Sequence, residues 1–274
     1  MPRLRIGALL RGNDLPRLEA TILLAHALDM AKASMLARLD DEVAPDFAEL
    51  FRELVRRRIK GEPIAYLTAS REFYGIELKI TSAVLIPRPE TELLVDAALE
   101  RIPADRQIAI LDLGTGSGAV ALAIAVHRPQ SKVIAIDVSA AALEVAVVNA
   151  HAQRVANVNF IVSDWYATVP SGTFDLIASN PPYVAEKDPH LGQGDLRFEP
   201  NLALTAGADG LSAIRTIVAG ARARLRENGW LLFEHGYDQG ERCRRLVSDA
   251  GFVEVSTLRD LAGLDRVCVG RAAS

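Results

Sequence analysis

The sequence predicts an α/β fold: a mainly parallel sheet clothed in helices, with a small helical domain ahead of it and a β-hairpin linker between them. Three observations carry this. From Gln107 onward, apolar strand-like runs alternate with helical stretches, the signature of a parallel sheet. The first such run, residues 107–113, passes through Gly114-Thr115-Gly116-Ser117-Gly118 into the continuously apolar stretch 119–126, so strand, glycine loop and helix follow in order. Ahead of Leu67, apolar residues recur at helical rather than alternating spacing.

The elements follow along the chain. Pro16 opens a helix with Leu18, Ile22, Ala25 and Leu28 at helical spacing. Pro45-Asp46 opens another, with Phe47, Leu50, Leu54 and Val55 on one face; Gly61 suits its cap and Pro63 prevents continuation. Residues 72–80 alternate as a hairpin strand, and Val84 to Glu90 form an extended loop bounded by prolines. Helical pattern resumes at Thr91, with Leu93, Leu94, Ala97 and Ala98. Strands are expected at 107–113, 132–136, 158–162, 174–179 and 229–234, and 251–255 and 266–270 close the chain as neighbours. The expected boundaries are a helical, partner-binding domain over 1–70, a hairpin and linker over 71–90, and the α/β domain over 91–274. The long segment 185–201 is expected to fold over a substrate, since loops of that length in compact domains are usually functional.

Composition bounds the function. The chain has 274 residues, half of them hydrophobic, and a net charge of −4. Mild acidity argues against broad nucleic-acid binding. The local run Arg52, Arg56, Arg57, Arg58 and Lys60 reads as a solvated helix face. Cys243 and Cys268 read as small core residues in a reducing compartment, and the histidines have no metal-ligand spacing, so no metal is expected. No apolar run reaches the 18 or so residues of a membrane span, and no signal-peptide pattern opens the chain, so a cytoplasmic protein is expected.

Four strand ends carry the chemistry. The strand 174–179 ends in Asn180-Pro181-Pro182-Tyr183, a rigid tip rich in carbonyl acceptors and poor in N–H donors, because proline has none. Such a tip suits an NH2 group gripped by both hydrogens. Asp137 ends the strand after the glycine loop, about 20 residues on, where a carboxylate meets ribose hydroxyls. The loop itself fits two patterns: Gly114-x-Gly116-x-x-Ala119 that of dinucleotide enzymes, and Gly114-x-Gly116-x-Gly118 that of enzymes using S-adenosylmethionine. After 158–162 come Asp164 and Trp165, an acid and a flat indole able to cradle an adenine. Ligands of open α/β sheets sit beyond the carboxyl ends of strands, so Gly114, Asp137, Trp165 and Asn180 are expected to line one crevice.

At this point the chain resembles the peptide chain release factor glutamine methyltransferases, the PrmC/HemK family, over nearly its full length. The resemblance rests on Gly61-Glu62-Pro63-Ile64-Ala65-Tyr66-Leu67, Glu72-Phe73-Tyr74-Gly75, Leu85-Ile86-Pro87-Arg88-Pro89-Glu90-Thr91-Glu92, Asp112 to Gly118, Asn180 to Tyr183, Phe198-Glu199-Pro200, Asp209-Gly210-Leu211 and Glu234-His235-Gly236. The Ile-Pro-Arg-Pro-Glu-Thr-Glu segment is the most selective of these. Ala69 and Ala206 stand where glycine is usual in the family.

The resemblance implies a Rossmann-like S-adenosylmethionine-binding domain and methylation of the glutamine amide in the Gly-Gly-Gln tripeptide of class 1 release factors. It implies that Gly114, Thr115, Gly116, Ser117, Gly118, Asp137, Asp164, Trp165 and Asn180 hold the methyl donor. Asn180, Pro181 and Tyr183 would carry catalysis, and Asn180, Pro181, Pro182, Tyr183, Phe73 and Arg88 would bind the substrate. Arg88, Glu90 and Glu92 also admit a purely structural ion-pair role. The nearest rival is an amino-group methylase of DNA adenine or RNA guanine, which would want a basic groove. A nicotinamide oxidoreductase would need an acid or base that the Asn-Pro-Pro-Tyr tip lacks. A silent binding module would not need Asn180 and Asp137 intact.

Overall fold

The computed structural model describes residues 4–273. The chain divides into two compact units: one holds the chain up to Ser70 together with Gly192–Phe198, the other Arg71–Leu191 and everything from Glu199 onward.

In the first unit, β1 (Leu4–Arg5) leads into α1 (Ile6–Arg11), α2 (Arg17–Ala27) and α3 (Lys32–Leu36), and then β2 (Glu42–Val43) pairs back on β1. The unit ends with α4 (Pro45–Ile59) and α5 (Ile64–Leu67). Pro45 occupies the first turn of α4, where its missing N–H costs nothing. The buried face of α4 is Ala48, Phe51, Leu54 and Val55, packed with Leu23, Leu24 and Met35. Half of the expected α4 face therefore differs, since Phe47 and Leu50 are exposed. On α2, likewise, Leu18 points outward and Ala20, Leu23, Leu24 and Ala27 are buried. Both helices carry apolar residues on adjoining faces, and packing selects the face whose residues interlock.

The arginines of α4 are paired. Arg52 and Arg56 meet Glu49, Arg56 also meets Glu53, and Arg57 meets Glu62. Arg58 grips Glu19 through two nitrogens and Asp195 through a third contact. Asp195 belongs to the returning segment Gly192–Phe198, which Arg197 also fastens by donating to the Lys60 carbonyl at 2.6 Å. The segment expected to be a plain loop thus contains 3-10 turns at Pro189–Gly192 and Leu196–Phe198, and part of it packs with the helical unit.

From Arg71 the second unit takes in the hairpin of β3 (Ser70–Phe73) and β4 (Ile76–Lys79), of which only the first residue, Ser70, falls in the first unit. Its turn, Tyr74-Gly75, has φ of +51° and +75°, the left-handed pair that matches hairpin twist. A 3-10 turn at Pro89–Thr91 runs into α6 (Glu92–Arg101). Then come β5 (Ala109–Leu113), α7 (Ala119–His127), β6 (Lys132–Asp137), α8 (Ala140–Ala152), β7 (Val158–Val162) and β8 (Phe174–Ser179). The chain continues through α9 (Asn201–Leu204), α10 (Ser212–Ala221), β9 (Leu225–Glu234), α11 (Gly240–Asp249), β10 (Phe252–Arg259) and β11 (Asp265–Ala272).

These strands form a 7-stranded sheet in the order β10-β11-β9-β8-β5-β6-β7, parallel from β9 to β7 and antiparallel at β10 and β11. β9 starts earlier than the sequence pattern suggests, because Leu225 pairs with Phe174 ahead of a register shift. The strand order reverses between β5 and β8, and ligand crevices open at such reversals. Register then brings the loops together. Leu113 lies beside Ser179, and Ser179 beside Phe233. Gly114, Asn180 and Glu234 each sit one residue past these partners, at adjacent strand ends.

Candidate active site

A cavity of about 500 Å³ opens at these strand ends. Among the residues expected at the site, Gly114, Thr115, Gly116, Ser117, Asp137, Asp164, Trp165, Asn180 and Pro182 line it. Gly118, Pro181, Tyr183, Phe73 and Arg88 do not. Gly118 instead caps α7 with φ of +84°. Pro181 is buried, and Tyr183 packs on the sheet core. Phe73 lines a separate cavity of about 240 Å³ with Arg71, Glu72, Pro87, Pro89 and Glu92; Pro87 borders both cavities. The Arg88 guanidinium donates to Glu199, whose carboxylate is fully buried and also accepts the Ile86 N–H at 3.0 Å. The ion-pair role weighed for Arg88 is thus the one its contacts display.

The glycine loop is tied to its acid. Gly116 N donates to Asp137 Oδ2 at 2.9 Å, and Ser139 N to Asp137 Oδ1 at 2.9 Å. The carboxylate keeps capacity to accept a further donor. Burial raises the Asp137 pKa, and these N–H groups pull it back. Gly116 has φ of +57° with open space where a Cβ would stand, so the backbone can meet a ligand directly. Trp165, held at φ of +47°, brings its indole within 4.0 Å of where a Cβ on Gly114 would be.

Sequence reasoning gave no role to Asp112. It lies in β5 just before the glycines, lines the cavity, is 1% exposed, and its Oδ2 has no hydrogen-bond partner. Burial above all, with the charge of Asp137 adding to it, pushes its pKa up to about 7. An unpaired buried carboxylate is costly unless a cation completes it. The available signal was an acid interrupting the apolar run Ile110-Leu111-Asp112-Leu113.

Thr91 and Glu234 went unassigned too. Asn180 Nδ2 donates to Thr91 Oγ1 at 3.0 Å, and Thr91 Oγ1 donates to Glu234 Oε2 at 2.7 Å. Tyr183 Oη donates to the other oxygen, Oε1, at 2.9 Å. One buried carboxylate therefore holds both ends of the Asn-Pro-Pro-Tyr tip. Burial raises the Glu234 pKa, while the Thr91 and Tyr183 hydrogen bonds and the charge of Arg266 oppose it. Burial also raises the Tyr183 phenol, which the Glu234 charge reinforces, so Tyr183 stays a proton donor. Behind the tip, Gln239 Nε2 donates to the Tyr183 carbonyl at 3.0 Å. Gly210 lies so close that a Cβ there would sit 2.3 Å from that carbonyl oxygen.

Among the described residues no group of His, Cys, Asp or Glu is arranged to hold a metal, and no helix is long and apolar enough to cross a membrane. Cys243 and Cys268 are free and buried.

Comparison with known proteins agrees with this architecture. Residues 5–68 match the PrmC N-terminal domain, and residues 90–194 match the Methyltransferase small domain. A release factor glutamine methyltransferase of Xylella fastidiosa is 51% identical over 255 residues, covering 93% of each chain. One of Burkholderia pseudomallei is 49% identical over 269 residues, covering 96% of this chain and 94% of its own. A methyltransferase of Pyrococcus furiosus shares the fold, with a TM-score of 0.57 at 17% identity over 80% of this chain and 98% of its own. With its paired domains, its sheet order and near-full-length identity of this level, the chain is a methyltransferase and belongs to the release factor glutamine methyltransferase family.

Proposed function

We propose that this protein methylates the side-chain amide nitrogen of the glutamine in the Gly-Gly-Gln motif of class 1 release factors, with S-adenosylmethionine as donor, and so acts in translation termination in the cytoplasm. The observation that carries the reading is the cavity shared by the glycine loop and Asn180, in which Asn180 turns its NH2 to Thr91 and leaves Oδ1 to the cavity. The nucleic-acid alternative is disfavoured by pairing: the arginines of the basic run on α4 meet carboxylates.

The cavity fits the donor. Its volume is in the range of small-molecule sites. The spare lone pairs of Asp137 suit ribose hydroxyls, the Trp165 indole and Asp164 suit adenine, and the unpartnered Oδ2 of Asp112 suits the amino-acid ammonium. Thr115, Ser117 and the bare backbone of Gly114 and Gly116 supply polar contacts. When bound, S-adenosylmethionine supplies an electrophilic methyl on a sulfonium.

The chain's part is positioning. An amide nitrogen is a poor nucleophile because its lone pair is delocalised into the carbonyl. Asn180 Oδ1 would accept one amide hydrogen, and the other is assigned to the carbonyl of Pro181, a residue buried beside the lining; together they would turn the lone pair along the transfer axis and favour pyramidal nitrogen. Pro182 walls the pocket, and Tyr183 holds the tip from behind through its hydrogen bond to Glu234. Positive charge growing on nitrogen is met by those oxygens, which are fixed in advance. Phe73 is assigned to the substrate on the ground that its small cavity shares Pro87 with the main one.

The test is transfer of labelled methyl from S-adenosylmethionine to a class 1 release factor. The expected result is label in the release factor, none in its Gly-Gly-Ala variant, and none in DNA or RNA. Asn180→Ala is expected to lower kcat by a factor on the order of a hundred, with donor binding partly retained. Label in nucleic acid alone, or wild-type turnover by Asn180→Ala, would overturn the reading.

A further inference from the structure

We infer that Thr91 and Glu234 are positioning residues that set which face of the Asn180 amide the cavity receives. The inference rests on the proposed glutamine methylation and adds to it the origin of the acceptor.

The argument is a count of protons. A threonine hydroxyl has one hydrogen and lone pairs. Glu234, 1% exposed, takes the Thr91 hydrogen at 2.7 Å. Thr91 Oγ1 can then only accept, and the group beside it must be a donor. Asn180 has a donor end and an acceptor end; Nδ2 turns to Thr91 at 3.0 Å. Oδ1 is left for the cavity that Asn180 lines. The acceptor that would grip the substrate NH2 is therefore imposed through two hydrogen bonds by a carboxylate outside the cavity lining.

Reversing the polarity at the source should reverse it at the end. In Glu234→Gln the arrangement that leaves the fewest hydroxyl protons unpaired keeps Tyr183 donating to the glutamine oxygen. The glutamine NH2 then donates to Thr91 Oγ1. The Thr91 proton turns to Asn180, whose amide flips and presents Nδ2 to the cavity. A carboxamide NH2 is then repelled, and a carboxylate is accepted.

The experiment uses the full chain, a class 1 release factor, and the same factor with its motif glutamine changed to glutamate as a competitive inhibitor. Glu234→Gln is expected to lower kcat about a hundredfold, to bind S-adenosylmethionine within about twofold of wild type, and to be inhibited by the glutamate factor more strongly than wild type is. Thr91→Val, which cuts the relay, is expected to narrow the preference for glutamine over glutamate, and Thr91→Ser to restore it. Thr91→Val combined with Glu234→Gln is expected to turn over faster than Glu234→Gln alone, because no donor then forces the flip. A purely structural role predicts additive losses and unchanged inhibition. Those results, or wild-type kcat in Glu234→Gln, overturn the inference. Should Glu234→Gln fail to fold, the Thr91→Val and Thr91→Ser preferences decide alone. Failure of the wild-type enzyme to label any release factor refutes the underlying function instead, which separates the two failures.

Discussion

Replacing Asp112 with asparagine should stabilise the ligand-free protein at alkaline pH while weakening donor binding. The carboxylate is buried, has an unpartnered oxygen, and has its pKa pushed from 3.8 to about 7. That rise of about 3 units is worth about 4 kcal/mol at 1.36 kcal/mol per unit. The folded pKa lies above the unfolded one, so the folded state holds the proton more tightly. Stability therefore falls as pH rises from about 4 to about 7, and the whole cost is present above 7. Asparagine keeps the shape without the charge. The variant should exceed the parent by up to about 4 kcal/mol at pH 8, and the advantage should shrink towards zero near pH 4. Denaturation midpoints across this range read the gap directly. If the charge is there to meet an ammonium, affinity for S-adenosylmethionine should drop by about tenfold or more, as for loss of a charged hydrogen bond. Affinity for 5′-methylthioadenosine, which lacks the amino-acid moiety, should not change. A gap that stays constant with pH would refute the electrostatic reasoning, and equal loss of both ligands would refute the ammonium assignment.

Two further outcomes concern stability. Ala69 is held at φ of +53°, in the left-handed region that penalises a Cβ by about 1–2 kcal/mol, so Ala69→Gly should stabilise by about 1 kcal/mol in denaturant titration. Arg88→Ala should cost about 3 kcal/mol by leaving the buried Glu199 carboxylate with the Ile86 N–H alone, and adding Glu199→Gln should recover part of it. A raised KM with an unchanged denaturation midpoint would instead support the substrate-binding role of Arg88.

Much of the architecture is written in local pattern. The β5 strand, glycine loop and α7 helix are contiguous, and each follows from short-range rules: apolar runs, a turn needing positive φ, a helix with no exposed stripe. The strand ends bearing Gly114, Asp137, Trp165 and Asn180 could be set around one crevice because parallel sheets put all their carboxyl ends on one edge. Helix faces in the first unit were harder. Phe47 and Phe51 are both apolar and a turn apart, and only the partner helix distinguishes them. The expectation that the segment 185–201 folds over a substrate named no anchor for it, because no local signal marks Asp195 and Arg197 as partners of Arg58 and the Lys60 carbonyl, 137 residues away.

The relay from Glu234 to Asn180 lay out of reach for a deeper reason. Its members are 89 and 143 residues from Thr91. Asn180 and Glu234 are neighbours because β8 runs parallel to β9 in register, and the 3-10 turn ahead of α6 brings Thr91 to them. Once they meet, chemistry leaves little freedom at position 180. Aspartate would set an acceptor against Thr91 Oγ1, whose proton Glu234 already holds, and would add a charge beside a buried carboxylate. Leucine fills the space and offers the cavity nothing. Serine has one proton, so once it is spent on Thr91 an oxygen remains, but on a shorter arm. Asparagine is the residue of this size that is a donor at one end and an acceptor at the other, and it can answer Thr91 while still facing the cavity with oxygen. Asn180 is thus specified from behind by Thr91 and Glu234 as much as from in front by the group it would grip.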